Sequence, residues 1–200
     1  MYKRQVFNYV KSFNEKHNLN VTAGYAYYFR KEARLAAAGR GASTDLIPTL
    51  NASSVPVSVS SSITERSMQG IFARIGYDYK DKYLISVSAR YDGASNLGTN
   101  NKWGFFPGVS LGWHVDKEKF WSFMPENLMR LKLRASYGVN GNISGLGDYT
   151  AQGSYSVGSK YLGNAGITMG TMANQDLSWE ESKTFDIGTD ISFFNNRLNF

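Results

Sequence analysis

The sequence predicts an all-β protein, specifically an antiparallel segment of a transmembrane β-barrel with long loops at one end and short turns at the other. Three observations support this fold class. Apolar and polar residues alternate with a period of two, aromatic residues gather at the ends of the alternating segments, and long and short connections alternate along the chain. A period of two is typical of a strand with one apolar and one polar face.

The first three alternating segments lie in the first half of the chain. In residues 19–29, leucine, valine, alanine, tyrosine and phenylalanine occupy the odd positions, while asparagine, threonine and glycine occur at even ones. In residues 69–79, isoleucine and tyrosine are opposed by arginine, glycine and aspartate, and in 83–92 tyrosine, isoleucine and valine are opposed by serine, arginine and aspartate. Each segment has the length that a tilted strand needs to cross a bilayer core.

The remaining segments repeat the pattern. Residues 108–116 set valine, leucine and tryptophan against glycine, serine and histidine, and residues 131–140 set leucine, alanine, tyrosine and valine against lysine, arginine, serine and glycine. Residues 178–193 form a sixth segment, and a seventh begins at Leu198. The polar faces carry Gly, Ser, Arg and Asp rather than the Lys, Glu and Thr typical of a solvated sheet. About seven strands are therefore predicted.

The connections differ strongly in length. Residues 80–82 and 195–197 are tight turns, and in an antiparallel sheet they lie at the opposite end from the long connections. Outer-membrane barrels show this asymmetry, with long extracellular loops, short periplasmic turns and aromatic girdles. The segment 117–130 lies at the short-turn end and is predicted to hold one helical turn. Three long connections are predicted, at residues 30–65, 93–104 and 141–177.

Composition excludes several classes of site. The chain has no cysteine and only two histidines, so neither a disulfide, a metal site nor a cofactor site is predicted. The 22 lysines and arginines are dispersed and form no stripe for nucleic acid. Glu180 and Glu181 are adjacent in a strand and point to opposite faces, so they cannot act together on one bond. We expect no enzymatic activity.

Five ordered blocks of sequence carry a family resemblance: YDYKDKYLISVSARYDGASNLG (77–98), NKWGFFPGVSLGW (101–113), LKLRASYGVNGN (131–142), NQDLSWEESKTFDIGTDISFFNNRL (174–198) and GRGASTDLIPTLNAS (39–53). Through these blocks the chain resembles the SusC/RagA family, which are TonB-dependent outer-membrane receptors and transporters of the Bacteroidetes. The resemblance covers most of residues 7–200.

The resemblance implies a 22-stranded barrel, a size class with a plugged lumen. Residues 1–200 would then be one partial barrel domain, with the plug domain and the remaining strands outside this chain. It also implies a multi-pass protein of the Gram-negative cell outer membrane that contacts its lipid and imports large nutrients, either oligosaccharides or peptides. The implied partners are a SusD-like surface lipoprotein and TonB, which acts through the plug.

Two groups of residues are candidates for ligand contact. Charged residues on the polar faces would line the lumen, although they could instead pair with one another or with the plug. Trp103 and Tyr149 are predicted on extracellular loops, where a sugar could stack on them, although aromatic residues often anchor loops. The lumen candidates are Arg74, Arg90, Asp92, Arg134, Asp186 and Asp190.

An alternative function comes from a different class of protein. A soluble β-sandwich also has strands with one packed face and one wet face, so alternation alone does not identify a membrane protein. A soluble all-β carbohydrate-binding module, which contacts sugar through Trp103 and Tyr149, is therefore the second hypothesis.

Overall fold

The computed structural model describes residues 1–47, 49–125, 128–194 and 197–199. Within this part of the chain, ten strands and three short 3-10 turns are found. No helix among the described residues is long and apolar enough to span a membrane. The strands are β1 (Tyr2–Phe13), β2 (His17–Ala42), β3 (Ser53–Tyr79), β4 (Tyr83–Ala94), β5 (Trp103–His114), β6 (Met129–Asn142), β7 (Tyr155–Tyr161), β8 (Asn164–Met169), β9 (Glu180–Phe193) and β10 (Leu198–Asn199). The 3-10 turns are Leu50–Ala52, Val115–Lys117 and Lys119–Trp121.

Eight of the strands form one open sheet in the order β1-β2-β3-β4-β5-β6-β9-β10. Each strand pairs antiparallel with its neighbour, and the separate hairpin β7–β8 lies in the connection between β6 and β9. This topology confirms the predicted all-β antiparallel fold, and the open sheet is what part of a barrel wall forms.

The register places like residues in rows across the sheet. One row is polar or small, and the next row, one residue along each strand, is apolar. A shift of one residue at any strand would mix the two faces, so the alternation in the sequence fixes the pairing. The polar row is Asn20, Gly76, Ser86, Ser110, Ser136 and Asp186. The apolar row is Val21, Ile75, Val87, Val109, Tyr137 and Phe185.

No described part of the chain forms a layer against the apolar face of the main sheet. From β3 to β9 the apolar row is largely exposed, and Ile75, Val87 and Phe185 are among its exposed members. The buried apolar cluster lies instead at the long-loop end, where Leu97 and Ile143 pack with parts of the loops. A β-sandwich would bury one face of this sheet, whereas a barrel wall turns it toward lipid.

The strands β2 and β3 are longer than predicted. Residues 30–42 and 53–65 were expected in a long loop, but they pair with each other and extend the hairpin beyond the rest of the sheet. Their Ala, Gly and Ser content resembles that of a loop, yet small residues pair readily when the ladder is already formed. A bulge between Ala38 and Gly39 takes up one residue of mismatch.

Other boundaries also differ from the prediction. β1 was not predicted, because apolar and polar residues occur on both of its faces. β5 begins at Trp103 and ends at His114, and the predicted loop 141–177 contains the β7–β8 hairpin. The predicted turn at 195–197 falls partly outside the described residues, since Asn195 and Asn196 are not among them.

The tight turn between β3 and β4 has a left-handed backbone at two residues that are not glycine. Lys80 and Asp81 have φ values of 55° and 51°, and the amide of Lys82 donates to the carbonyl of Tyr79 at 3.0 Å. The amide of Asp81 donates to Asp78 Oδ1 at 2.6 Å. Positive φ at both central residues matches the right-handed twist of the strands, so the turn joins them without splaying.

Candidate functional site

The polar face of the sheet carries an open cavity of about 780 Å³. It is lined by residues of β1 to β6 and β9. The polar side chains among them point to the same side, because side chains alternate along a strand. Hydroxyl, amide and charged groups therefore converge on one space. Among the residues that line it are Asn20, Arg74, Ser86, Lys132, Arg134 and Asp186.

Arg74 and Asp186 both line this cavity, as the sequence predicts for lumen candidates. The Nε of Arg74 donates to Ser86 Oγ at 3.0 Å on the neighbouring strand. Asp186 lies beside Ser136 in the ladder and forms no ion pair with another described residue. A cation and an anion thus remain available to polar ligands on the same wall.

Arg134 and Asp190 form a pair along the same face. The Nε of Arg134 lies 3.3 Å from Asp190 Oδ1, and both side chains are about half exposed. The guanidinium lies over Gly188, where an added Cβ would come within 2.8 Å of its Nε. An exposed pair of this kind contributes at most about 1 kcal/mol, so the charges stay accessible to a ligand.

Arg90 and Asp92 form an ion pair nearer to the long loops. The guanidinium also lies 5.8 Å from the centre of the Phe72 ring. Asp92 is 8% exposed, and its Oδ1 has no hydrogen-bond partner among the described residues. The carboxylate lies against Gly70, where an added Cβ would be 1.7 Å from that oxygen. For two of the candidate pairs, therefore, the alternative of mutual pairing holds in this structure.

Trp103 is not on a loop as predicted, but is the first residue of β5. Its ring stacks on Tyr91, with centroids 4.9 Å apart and planes 9° apart, and it lies over Gly93. Tyr91 belongs to the apolar face, so Trp103 packs on the outer surface rather than in the cavity. This position fits an aromatic girdle at the long-loop end of the wall.

Tyr149 lies in the connection between β6 and β7, as predicted. Its hydroxyl accepts a hydrogen bond of 2.9 Å from the amide of Glu65 on the extended part of β3. This contact holds the loop against the hairpin, so an anchoring role is visible, and a ligand contact stays a prediction.

Next to Tyr149, Asp148 joins the same loop to two arginines. Its Oδ2 lies 3.0 Å from Arg30 Nη2, and its Oδ1 lies 3.8 Å from Arg66 Nη1. The carboxylate is 10% exposed, which screens it from water and strengthens its pairing. Sequence reasoning missed these residues, because the contact joins positions 118 residues apart and has no local signal.

A second cluster that sequence reasoning missed lies at the short-turn end, around Glu118. Lys82 Nζ donates to its Oε2 at 2.8 Å, and Tyr83 Oη and Trp113 Nε1 donate to its Oε1 at 2.6 and 3.1 Å. The hydrogen bonds from Lys82, then Tyr83, lower the pKa of Glu118 from 4.5 to about 2. The carboxylate therefore joins the β3–β4 turn to the β5–β6 connection.

The described residues contain no cluster of three or more His, Cys, Asp or Glu side chains that could hold a metal ion. The polar wall of the cavity offers hydrogen bonds and charged groups to a ligand.

Comparison with known proteins identifies the family. Residues 2–200 match the family described as TonB dependent receptor-like, beta-barrel. A TonB-dependent receptor of Formosa agariphila is 37% identical over 199 residues, which are 96% of this chain and 19% of that protein. The TonB-dependent receptor SusC of Bacteroides thetaiotaomicron is 30% identical over 141 residues, 68% of this chain and 14% of SusC.

Solved structures agree with the sequence matches. A structure of the RagAB peptide transporter superposes with a TM-score of 0.87 at 28% identity and covers 99% of this chain and 22% of the matched chain. The RagAB peptide importer in its closed-closed state gives a TM-score of 0.86 at 27% identity, with the same coverage. The chain thus spans about a fifth of the length of the relatives that it matches along nearly its whole sequence. Since the family match extends over residues 2–200 and the fold agrees with it, the chain belongs to the TonB-dependent receptor family and forms strands of its β-barrel.

Proposed function

We propose that the chain is part of the barrel wall of a SusC/RagA-type TonB-dependent transporter in a Gram-negative outer membrane. The observation that carries this proposal is the two-faced sheet: its apolar face is exposed over several strands, and its polar face carries an open cavity. Such a wall separates hydrocarbon from a watery lumen. A sheet with water on both faces would not need an exposed apolar face.

The transported compounds are large polar nutrients, either oligosaccharides or peptides. The polar wall offers hydroxyl groups together with Arg74, Lys132 and Asp186, which can bind both sugar hydroxyls and peptide termini. SusC and RagAB are relatives, and RagAB is named as a peptide transporter. The choice between the two nutrient classes would be made by the loops and by the rest of the lumen.

The complete transporter includes a plug domain and further strands beyond this partial barrel of residues 1–200. A SusD-like surface lipoprotein captures the nutrient with the long loops, and TonB acts through the plug to release it. The barrel wall does no covalent chemistry on the cargo, because its role is to bind and to guide. Sequencing of the genomic DNA on both sides of the coding region tests this composition, since a plug upstream and a lipoprotein gene nearby are expected.

Outer-membrane fractionation and heat-dependent gel mobility test the proposal directly. The receptor that contains this chain is expected in the outer-membrane fraction, and a closed barrel is expected to migrate faster before boiling than after it. A protein found in the soluble fraction, with the same mobility before and after boiling, would contradict a barrel and favour the carbohydrate-binding module.

A further inference from the structure

The connection between β5 and β6 folds back onto the outer surface of the sheet. Its 3-10 turns, Val115–Lys117 and Lys119–Trp121, follow β5 directly. Val115 and Asp116 are buried, whereas much of the rest of the connection through Pro125 is exposed. The connection is therefore buried where it leaves β5 and mostly exposed beyond that point.

Glu118 determines where the connection lies. Its carboxylate accepts hydrogen bonds from Tyr83 and Trp113, which face each other in the β4–β5 ladder on the apolar side. Because both donors belong to the apolar face, the connection is held on the outside of the wall and away from the cavity.

Two phenylalanines of this connection are exposed, and one of them lies against the apolar face. Phe120 is 61% exposed and Phe123 is 70% exposed. The ring of Phe120 meets Trp113 edge to face with centroids 6.4 Å apart, and Phe123 lies 5.4 Å from Trp121. Since Trp113 is the last outward-facing residue of β5, Phe120 continues the apolar band past the end of the strand, and Phe123 follows three residues later in the same connection.

Charges complete the pattern. Lys117 and Lys119 directly precede the aromatic residues, are exposed, and form no ion pair with another described residue. Exposed aromatic rings next to unpaired lysines are the composition of a segment that lies at a membrane surface, with rings among acyl chains and ammonium groups near phosphates.

We propose that residues 117–123 are a membrane-interface anchor that inserts Phe120 and Phe123 into the phospholipid leaflet at the short-turn end of the barrel. The anchor rests on the proposed function, because that function places lipid against the apolar face. Continuity of Phe120 with this face through Trp113 argues for lipid rather than a protein as the occupant. The Glu118 hydrogen bonds hold the anchor at a fixed depth, so it would resist vertical movement of the wall.

Spin labels at single cysteines test the anchor, since the chain has no cysteine of its own. The receptor that contains this chain carries Phe123→Cys and is reconstituted into vesicles of phosphatidylethanolamine and phosphatidylglycerol. Val87→Cys, in the middle of β4 on the apolar face, is the lipid control. Lys16→Cys, in the exposed β1–β2 turn at the same end, is the water control. Collisions with oxygen and with a soluble nickel complex measure depth.

The label at 123 is expected to collide more with oxygen than with nickel, at a depth between the two controls. A label at 123 that behaves like the one at Lys16 overturns the anchor while Val87 still reports lipid. A label shielded from both reagents also overturns it, because the patch would then be covered by protein. If Val87 itself reports water, the barrel assignment fails, which separates that failure from the failure of the anchor.

Discussion

The structural effect of a single residue in this molecule depends mainly on its direct contacts. Glu118 shows this most clearly, since three donors from two strands and one turn converge on its two oxygens. Gly98 shows it for backbone packing, because an added Cβ would lie 2.1 Å from the carbonyl oxygen of Gln175. The contacts of Glu118 depend on its charge, whereas the close packing at Gly98 depends on the lack of a side chain.

Protonation of Glu118 is expected to weaken the short-turn end. The folded-state pKa of about 2 lies below the ordinary 4.5, so the stability from this carboxylate is fully present above pH 4.5 and is lost as the pH falls toward 2. Glu118→Gln should lower the unfolding temperature of the purified receptor at pH 7, and the difference from wild type should shrink between pH 4.5 and 2. Glu15→Gln, which removes an exposed carboxylate from the β1–β2 turn, is the control. A constant difference across that range would show that Glu118 acts through its shape and not its charge.

Gly98→Ala is expected to separate two loop segments that now touch. The amide of Gly98 donates to the carbonyl of Leu177 at 2.9 Å, and that of Asn100 donates to Gln175 at 3.2 Å. Backbone cannot give way as a flexible side chain does, so we expect a local cost of about 1–3 kcal/mol. Hydrogen exchange at residues 98–100 should accelerate by about tenfold or more. Gly138→Ala is the matched control, because no atom lies within 4 Å of its added Cβ; equal exchange in both variants would contradict the packing.

At the scale of elements, the extended β2–β3 hairpin supports the loops. It stands beyond the sheet edge shared by the other strands, and the β6–β7 connection leans on it through Asp148 and Tyr149. The hairpin and the connection thus form one unit at the end where a nutrient would enter.

Asp148→Ala is expected to release the β6–β7 connection without unfolding the wall. The change removes the carboxylate that pairs with Arg30 and Arg66. Arg66 then loses this ion pair, while its buried Nε already has no hydrogen-bond partner among the described residues. Limited trypsin digestion should cut at Lys160 several times faster, with an unchanged unfolding temperature. Asp45→Ala, at the exposed tip of the β2–β3 hairpin, is the control. Equal digestion rates in the two variants would count against the contact between this hairpin and the β6–β7 connection.

Sequence patterns predicted the central strands well and the periphery poorly. β4 and β6 were predicted because each has one apolar and one polar face. Residues that alternate between two such faces produce a period of two in the sequence. The outer half of β2, from Arg30 to Ala42, has solvent on both sides, so no alternation marks it. The same limit applies to the candidate site. Strand alternation predicted that Arg74 and Asp186 share the polar face, and their contact with a ligand stays a prediction, whereas Asp148 and Glu118 depend on contacts between distant segments.

At the scale of the whole molecule, the proposed barrel wall is a boundary between two solvents. Every strand of the wall has to keep its apolar face on the same side, because one reversed strand would place charges in hydrocarbon and expose backbone groups that nothing there can satisfy. The positions of Val109 and Ser110 are therefore far from equivalent, although they are adjacent.

Val109→Arg is expected to destabilise the folded receptor by about 2–4 kcal/mol, since it places a cation on the apolar face in the middle of the wall. Ser110→Arg puts the same charge on the polar face and should be tolerated. The amount of heat-modifiable receptor in the outer membrane measures both. Equal yields of the two variants would contradict the assignment of the faces.

The independence of the β7–β8 hairpin has a consequence for how such a protein can diversify. Its strands pair only with each other among the described residues, and its tip at Leu162 and Gly163 already has a left-handed backbone. Residues can be gained or lost there without changing the register of β6 with β9. Changes of length or sequence in this hairpin are therefore expected to leave the pairing of the wall intact.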